Sequence, residues 1–141
     1  MDDNVNKLSM SDVKEIRIKI IPQAKQRYAT YGDYWIDYTG TLQVRVSDFE
    51  NPDHVLRIAV HEVVEAMRCL RDNVSFNSID KFDLEHLDSE DPGCLPEAPY
   101  HAQHMDSLEL EGLMCEQDNE GWVTYYETLP IGWDKCYSED L

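Results

Sequence analysis

The order of apolar and polar positions divides the chain into a β-rich first third and a helical remainder. Residues 15–22 alternate apolar and basic side chains, which is typical of a half-buried strand ended by a proline. Residues 31–37 and 41–46 are two more β-rich runs, and the glycine-containing connection between them predicts a hairpin. This part of the sequence therefore predicts a small, mainly antiparallel sheet of about three strands.

Beyond residue 50, the apolar positions follow helical spacing. The Asn-Pro-Asp sequence at 51–53 offers a capping side chain and a proline for a first turn, which predicts the start of a long helix ending near residue 72. The later predicted elements are a short helix at 75–87, a loop at 89–99, a second long helix at 100–117 and a short element at 122–127.

Neither an internal repeat nor a linker interrupts this pattern, and 141 residues is the size of one domain. The polar residues 1–12 are predicted to form a flexible N-terminal segment. Residues 13–141 are predicted to form a single α+β domain. In it, the small sheet packs on two long helices and one or two short ones.

Charge narrows the range of functions. The chain has 29 acidic and 12 basic side chains, for a formal net charge of −17. Such a surface repels nucleic acid and anionic lipid, so we expect neither direct nucleic-acid binding nor membrane binding. It can attract cations or a basic protein surface, and solubility is its simplest consequence.

The four cysteines give no sign of a disulfide framework. They lie more than 20 residues apart and form no C-x-x-C pair, which argues against a zinc ribbon and a disulfide-dense secreted scaffold. The sequence also shows no signal-peptide core and no apolar run long enough to span a bilayer. We therefore expect a cytoplasmic protein.

The sharpest chemical pattern is His-Glu-Val-Val-Glu at residues 61–65, in the first long helix. His61 and Glu65 lie one turn apart on one face, where an imidazole and a carboxylate can bind the same divalent metal. Glu62 lies about 100° round the helix from His61. There it can orient and deprotonate a metal-bound water, as the corresponding Glu does in H-E-x-x-H metalloproteases. Here Glu65 replaces the second histidine, which makes the motif less specific.

A solvated helix face is the competing interpretation of the same helix. Its polar residues fall within roughly 40° of one line, opposite the apolar face. They are His54, Arg57, His61, Glu65, Arg68 and Asp72. Weak surface ion pairs usually connect such a stripe, and this helix alone favours that interpretation.

The second long helix favours a buried polar site over a solvated helix face. Four of its residues share one face at spacings of four and seven: His104, Leu108, Glu111 and Cys115. A face that mixes such residues is typical of packing, and a half-buried His or Glu needs polar partners. Docking the two helices would bring His61, Glu65 and His104 together as a metal site. Alternatively, His104 and Glu111 hydrogen-bond the first helix without a metal.

Together these segments resemble small, mostly phage-encoded proteins with a zincin-like metallopeptidase arrangement. The resemblance spans roughly residues 15–133. It rests on R-I-A-V-H-E-V-V-E-A at 57–66, Phe82-Asp83, Pro92-Gly93 and A-P-Y-H-A-Q-H at 98–104. It implies a minimal zincin, in which a twisted sheet packs on the active-site helix and a second helix supplies the third ligand. The chain departs from better-understood zincins in its short length and in lacking the second motif histidine.

The resemblance implies a zinc-dependent hydrolase, most readily a peptidase that acts on a peptide or protein, with Mn²⁺ or Ni²⁺ as other metals it could hold. The implied ligands are His61, Glu65 and His104, with Glu62 as the general base. His101 competes with His104 as the third ligand, and only the helix phase favours His104. Two acidic residues are implied to orient the ligand imidazoles: Asp83 and Glu111.

Two other functions fit parts of the pattern. Glu62 and Glu65 match the first E-x-x-E pair of an all-α, Mg²⁺-dependent nucleotide pyrophosphohydrolase, but the second pair is absent at the expected spacing and that fold has no place for the strands. A non-enzymatic protein is the other alternative. A small, very acidic chain could imitate a nucleic acid and inhibit a basic host protein, provided that its acidic residues line one ridge.

Overall fold

A computed structural model describes residues 8–89 and 91–127. Three strands and four α-helices lie within them. In chain order they are β1 (Glu15–Ile21), β2 (Gly32–Ile36), β3 (Thr41–Ser47), α1 (Pro52–Arg71), α2 (Phe76–Glu85), α3 (His101–Gln117) and α4 (Trp122–Glu127). The α+β fold class predicted from the sequence is confirmed. No helix of the described part of the chain is both long and apolar enough to cross a membrane.

Part of the predicted N-terminal segment has regular structure. Met10–Asp12 forms a single 3₁₀ turn, whose start is capped by the carboxylate of Asp12 accepting from the Ser9 backbone N–H at 2.8 Å. Residues 1–7 of the predicted segment lie outside the described residues, as do residues 128–141 of the predicted domain.

The sheet is mixed, not mainly antiparallel as the sequence suggested. Its order is β1-β3-β2, with β2 antiparallel to β3 and β1 parallel to β3. The predicted hairpin joins β2 to β3, and Gly40 takes a φ of 86° in its turn, a conformation that favours glycine. The most apolar strand, β3, takes the central position because three of its side chains are fully buried: Leu42, Val44 and Val46. Because β2 pairs with one edge of β3, β1 pairs with the opposite edge, and its direction there is parallel to β3.

Helix α1 lies across the sheet and forms the middle of the domain. The Asn51 side chain accepts from the Asp53 backbone N–H at 2.9 Å and Pro52 occupies the first turn, so the helix starts as predicted. Its Ile58, Ala59 and Ala66 are buried in the same core as the β3 side chains. Helix α3 packs on the other side of α1, away from the sheet.

The polar stripe of α1 is largely buried, so a solvated face is the wrong interpretation for its first part. His54, Arg57, His61 and Glu65 are all buried, because α3 and the segment after it cover them. Arg57 is 1% exposed, and its guanidinium lies 4.7 Å from the centre of the Tyr125 ring. Its Nη atoms donate to two carboxylates beyond the end of α3: Glu120 and Asp118.

Loss of the buried arginine should destabilise the fold. We expect Arg57→Ala to lower the free energy of unfolding by about 3 kcal/mol, because Glu120 keeps only His54 as a side-chain partner among the described residues and the space under Tyr125 is emptied. Arg68→Ala is the matched control on the same helix, since Arg68 is 37% exposed and pairs with Asp106. We expect that variant to lose less than about 1 kcal/mol. Chemical denaturation measures the free energy of unfolding of both variants. Equal losses in the two would contradict a stabilising role for the buried Arg57.

Candidate metal centre

Helices α1 and α3 bring together three side chains that could hold a metal ion. Ser107 of α3 donates to the His61 backbone carbonyl of α1 at 3.1 Å, which fixes the two helices at this level. His61 Nε2 lies 3.1 Å from Glu65 Oε1 and 3.2 Å from His104 Nδ1. His104 Nδ1 lies 2.7 Å from the same Glu65 oxygen. The three ligands predicted from helix phase therefore meet in one buried cluster.

The spacing and chemistry of this cluster fit a zinc ion. Donor atoms at about 2.0–2.1 Å from a tetrahedral zinc lie about 3.3 Å from one another. The three observed separations are 2.7, 3.1 and 3.2 Å, so a small outward movement of the donors would accommodate the ion. Two imidazoles and one carboxylate also form the ligand set of many catalytic zinc sites, which leave further positions open.

Glu111 of α3 fixes the orientation of His61. Its Oε1 contacts His61 Nδ1, which leaves Nε2 turned toward Glu65 and His104. Its Oε2 accepts hydrogen bonds from the hydroxyls of Tyr125 and Tyr126, at 2.9 and 2.7 Å. Such a carboxylate defines the tautomer and raises the basicity of a ligand imidazole. Helix α4 thus takes part in the site, since it supplies both tyrosines.

His104 is oriented in the same way by a residue that the sequence did not indicate. Its Nε2 lies 2.9 Å from Asp91 Oδ2, in the turn that precedes α3. The backbone of Gly93 packs directly on the ring, because a Cβ at this position would lie 2.5 Å from His104 Cγ. His101, the predicted competitor for the third ligand position, instead has its Nδ1 2.9 Å from the Gly93 carbonyl. It anchors this turn and lies outside the three-residue cluster.

Glu65 is held as a charged carboxylate. Its Oε2 accepts a hydrogen bond from the Tyr34 hydroxyl of β2 at 2.7 Å, while its Oε1 faces both imidazoles. Burial alone would raise the pKa of Glu65, but the contacts with His104 and His61 outweigh it and lower the pKa below its usual range. Tyr34 thus connects the sheet to the site.

The environment of Glu62 differs from that of Glu65, although the two residues lie less than one helical turn apart in α1. Glu62 Oε2 lies 3.8 Å from His61 Nε2, and the Glu62 side chain packs against Gly32 of β2, where a Cβ would lie 2.5 Å from Glu62 Cγ. Among the described residues, no group donates a hydrogen bond to this carboxylate. Burial and the neighbouring charge of Glu65 raise the pKa of Glu62 well above its ordinary value.

The resemblance implied that Asp83 orients a ligand imidazole, but in the structure it contacts two tyrosines instead. From α2 its two oxygens accept hydrogen bonds from the hydroxyls of Tyr100, at 2.5 Å, and Tyr28, at 2.9 Å. Burial raises the pKa of Asp83 to about 6, and the two tyrosines oppose that shift. Asp83 acts on the site only indirectly, since the Tyr100 ring packs edge-on against the ring of His104 at 6.0 Å.

A cavity of about 300 Å³ opens onto the cluster. Both imidazoles and Glu62 line it, together with residues of β2, α2 and the turn before α3. Among the residues that the structure describes, the lining contains no lysine or arginine but includes seven acidic residues: Asp33, Glu62, Glu65, Asp80, Asp83, Asp91 and Glu111. The site is therefore electronegative and accessible to a metal ion or a positively charged group.

A second group that could hold a metal ion lies next to the first. It consists of Asp91, Cys94 and His104, whose donor atoms lie within 4.8 Å of one another. His104 belongs to both groups and faces each with a different ring nitrogen. No signal in the sequence pointed to Asp91 or Cys94, because both lie in a loop without periodicity.

Comparison with known proteins gives no match. Neither a protein-family model, nor a curated protein, nor a solved structure is significantly similar to this chain.

Metal affinity should depend steeply on pH. Burial opposes protonation of His61, but Glu111 and Glu65 outweigh it and raise the pKa to about 10, so at pH 7 a metal ion must displace a proton. We expect zinc affinity to rise about 10- to 100-fold per pH unit between pH 6 and 8, with one or two protons released per ion. Calorimetry in buffers of different ionisation enthalpy measures this release. An affinity that is independent of pH would contradict the protonation assignment.

Removal of the charge on Glu111 should weaken metal binding. We expect Glu111→Gln to lower zinc affinity about 10- to 100-fold, because His61 loses the carboxylate that orients it. Glu109→Gln removes the same charge from an exposed position of the same helix and should change the affinity little. Competition with a chelator measures both affinities, and circular dichroism checks that both variants fold. Equal affinities in the two variants would contradict this role.

Proposed function

We propose that this protein is a zinc-dependent hydrolase whose substrate is a peptide or a protein. One observation carries the proposal. A buried cluster of two imidazoles and one carboxylate lies beside a second carboxylate, that of Glu62, which faces the same cavity without a hydrogen-bond donor among the described residues. Metal-dependent hydrolysis needs both parts, a metal site and a base next to it.

In the proposed metal centre, His61, Glu65 and His104 hold the ion. A zinc ion bound there would act as a Lewis acid that polarises a carbonyl group and makes water a stronger acid. The chain supplies the orientation: Glu111 fixes the His61 ring and Asp91 fixes the His104 ring. Tyr34 holds the far oxygen of Glu65, so only Oε1 faces the imidazoles. These contacts position the donors before an ion arrives.

Glu62 is proposed to act as the general base. Its raised pKa makes this carboxylate a stronger base than that of an ordinary glutamate, which favours acceptance of a proton from water. It would accept a proton from the attacking water and return it to the amine that leaves. Gly32 makes this placement feasible, because any larger residue there would collide with the Glu62 side chain.

The cavity lining supports a positively charged substrate segment. Arg27 pairs with Asp33 and Asp80. The seven carboxylates still outnumber this arginine and the two imidazoles, so the described lining stays negative even when both imidazoles are protonated or when one zinc ion is bound. A peptide with lysine or arginine near the bond to be cleaved would be attracted to such a lining, and an acidic peptide would be repelled. Lysine- and arginine-rich peptides are therefore the first substrates to screen.

A non-enzymatic binding role is the second candidate, and charge distribution favours it. Residues 51–141 contain 21 of the 29 acidic side chains but only 5 of the 12 basic ones. Such an excess could bind a basic host protein whether or not the metal centre is filled. The two candidates make opposite predictions for purified protein, since only the first requires zinc.

Elemental analysis of protein purified without a chelator or a polyhistidine tag tests the metal centre. We expect about one zinc ion per chain in the wild type and a loss of zinc in His61→Ala and in His104→Ala. His86→Ala is the control, because His86 stacks on Phe82, away from the cluster. Wild-type protein that stays metal-free when zinc is added would exclude the hydrolase proposal and favour the binding role.

The general base is tested separately from the metal. We expect Glu62→Gln to retain zinc but to cleave peptides about 10²- to 10⁴-fold more slowly, because an amide cannot accept the proton. Glu109→Gln, with the same change on an exposed surface, should cleave at the wild-type rate. An unchanged rate in Glu62→Gln would contradict the role of Glu62.

A further inference from the structure

The imidazole of His104 lies between two sets of metal-binding atoms. Its Nδ1 faces Glu65 and His61, and its Nε2 faces Asp91. Cys94 lies next to Asp91, with its Sγ 3.4 Å from Asp91 Oδ2. The ring therefore separates the inner centre, formed by His61, Glu65 and His104, from a second set of donors on its other side.

We infer that Asp91, Cys94 and the Nε2 of His104 form an outer metal site for thiophilic divalent ions, which alternates with the inner centre. The outer site itself does not depend on the proposed function. Only the alternation rests on that function, because it requires the inner centre to bind a metal. No catalytic step is assigned to the outer site.

The separations between these donors fit a metal ion. Sulfur at about 2.3 Å and nitrogen or oxygen at about 2.0–2.2 Å from a tetrahedral ion lie about 3.3–3.6 Å from each other. Two of the three observed separations are 2.9 Å, from Asp91 Oδ2 to His104 Nε2, and 3.4 Å, from Asp91 Oδ2 to Cys94 Sγ. The third, between the donor atoms of Cys94 and His104, is at most 4.8 Å, so the donors need only a small movement to surround an ion. Asp91 also lines the cavity, so an ion can reach the site from there.

The turn that carries these donors is built around the imidazole ring. Pro92–Cys94 forms a 3₁₀ turn, and its Gly93 packs so closely on His104 that even a Cβ would collide with the ring. His101 holds the Gly93 carbonyl from the first turn of α3. Asp91 lies two residues before Gly93 and Cys94 directly follows it, so this packing holds both of them near Nε2. The juxtaposition is therefore a fixed feature of the fold.

Alternation follows from the chemistry of imidazole. A neutral imidazole has one nitrogen with a free lone pair and one that carries hydrogen. When Nδ1 binds an ion in the inner centre, Nε2 carries the hydrogen and donates to Asp91. When Nε2 binds an ion in the outer site, Nδ1 carries the hydrogen and donates to Glu65. A neutral imidazole thus serves one site at a time, since filling both sites at once would require the ring to lose its second proton as well.

The two sites differ in the metals they prefer. The inner centre offers nitrogen and oxygen donors, whereas the outer site adds a thiolate, which favours softer ions. Cadmium is therefore the suitable probe, because a cadmium–thiolate bond gives a charge-transfer absorption band that nitrogen and oxygen ligands do not give.

Cadmium titration followed by ultraviolet absorption tests the outer site. We expect about one equivalent to produce the thiolate band in the wild type, and expect Cys94→Ser and His104→Asn to abolish it. Cys115→Ala is the control, because Cys115 lies 11 residues after His104, about 16 Å along α3, and should keep the band. His61→Asn should also keep it, since His61 belongs only to the inner centre. A band that survives in Cys94→Ser, or that never forms in the wild type, would overturn the outer site.

Zinc competition tests the alternation. After loading with cadmium, added zinc should remove the band from the wild type at a concentration at least tenfold lower than from His61→Asn, because filling the inner centre takes His104 away from the outer site. Similar zinc concentrations in the two proteins would overturn the alternation. If zinc alone binds to the wild type and no cadmium band forms, the outer site fails while the proposed hydrolase centre stands. If the cadmium band forms but the wild type binds no zinc in the inner centre, the hydrolase centre is rejected while the outer site stands.

Discussion

The structure depends on a polar seam that is buried between α1 and α3. His61, Glu65, His104 and Glu111 are all removed from solvent there, although burial of an unpaired charge costs several kcal/mol. The cost is limited because each side chain has a partner on the facing helix. The same hydrogen bonds therefore hold the helices together and set the geometry of the cluster. A shift of α3 by one residue would break the site and the interface together.

The composition of the seam favours a cation. Glu62, Glu65, Glu111 and Asp91 surround two imidazoles, so the cluster carries a negative charge even when both rings are protonated. A divalent ion would neutralise that excess while the imidazoles release their protons, which couples binding to the stability of the fold. Arg57, the buried arginine of α1, does not supply that charge, because it pairs with Asp118 and Glu120.

Much of the fold and of the site could be predicted from local patterns. The bounds of α1 and α3 and the phases of their polar faces follow from helical periodicity, and phase alone brought His61, Glu65 and His104 together. Long-range packing was not predictable in the same way. The α1 stripe appeared to be solvated because its burial depends on α3 and on residues 118–126, both of which are distant from α1 in the sequence. The parallel pairing of β1 also depends on which strand takes the centre, and alternation within one strand does not contain that information.

The site residues that could not be predicted from the sequence lie where hydrophobic periodicity carries no information about polar contacts. Asp91 lies in an irregular turn, and Tyr34, Tyr125 and Tyr126 act through hydroxyl groups on side chains that otherwise pack as apolar residues. A buried tyrosine reads as a core residue in any hydrophobicity pattern, although its hydroxyl needs a partner. Here the partners are the carboxylates of the seam. The core aromatics and the polar site are thus one hydrogen-bonded unit.

The two glutamates of the motif have environments that fit the two different roles proposed for them. Glu62 and Glu65 have the same side chain and are both buried, so their intrinsic acidity is the same. Glu65 faces two imidazoles and accepts from Tyr34, and these contacts lower its pKa. Glu62 has no such donors among the described residues, so burial and repulsion from Glu65 raise its pKa. A pair of acids whose environments separate their pKa values is the arrangement in which one remains a charged ligand and the other exchanges protons. The repulsion links the two roles, because the charge that suits Glu65 for holding a cation also makes Glu62 the stronger base.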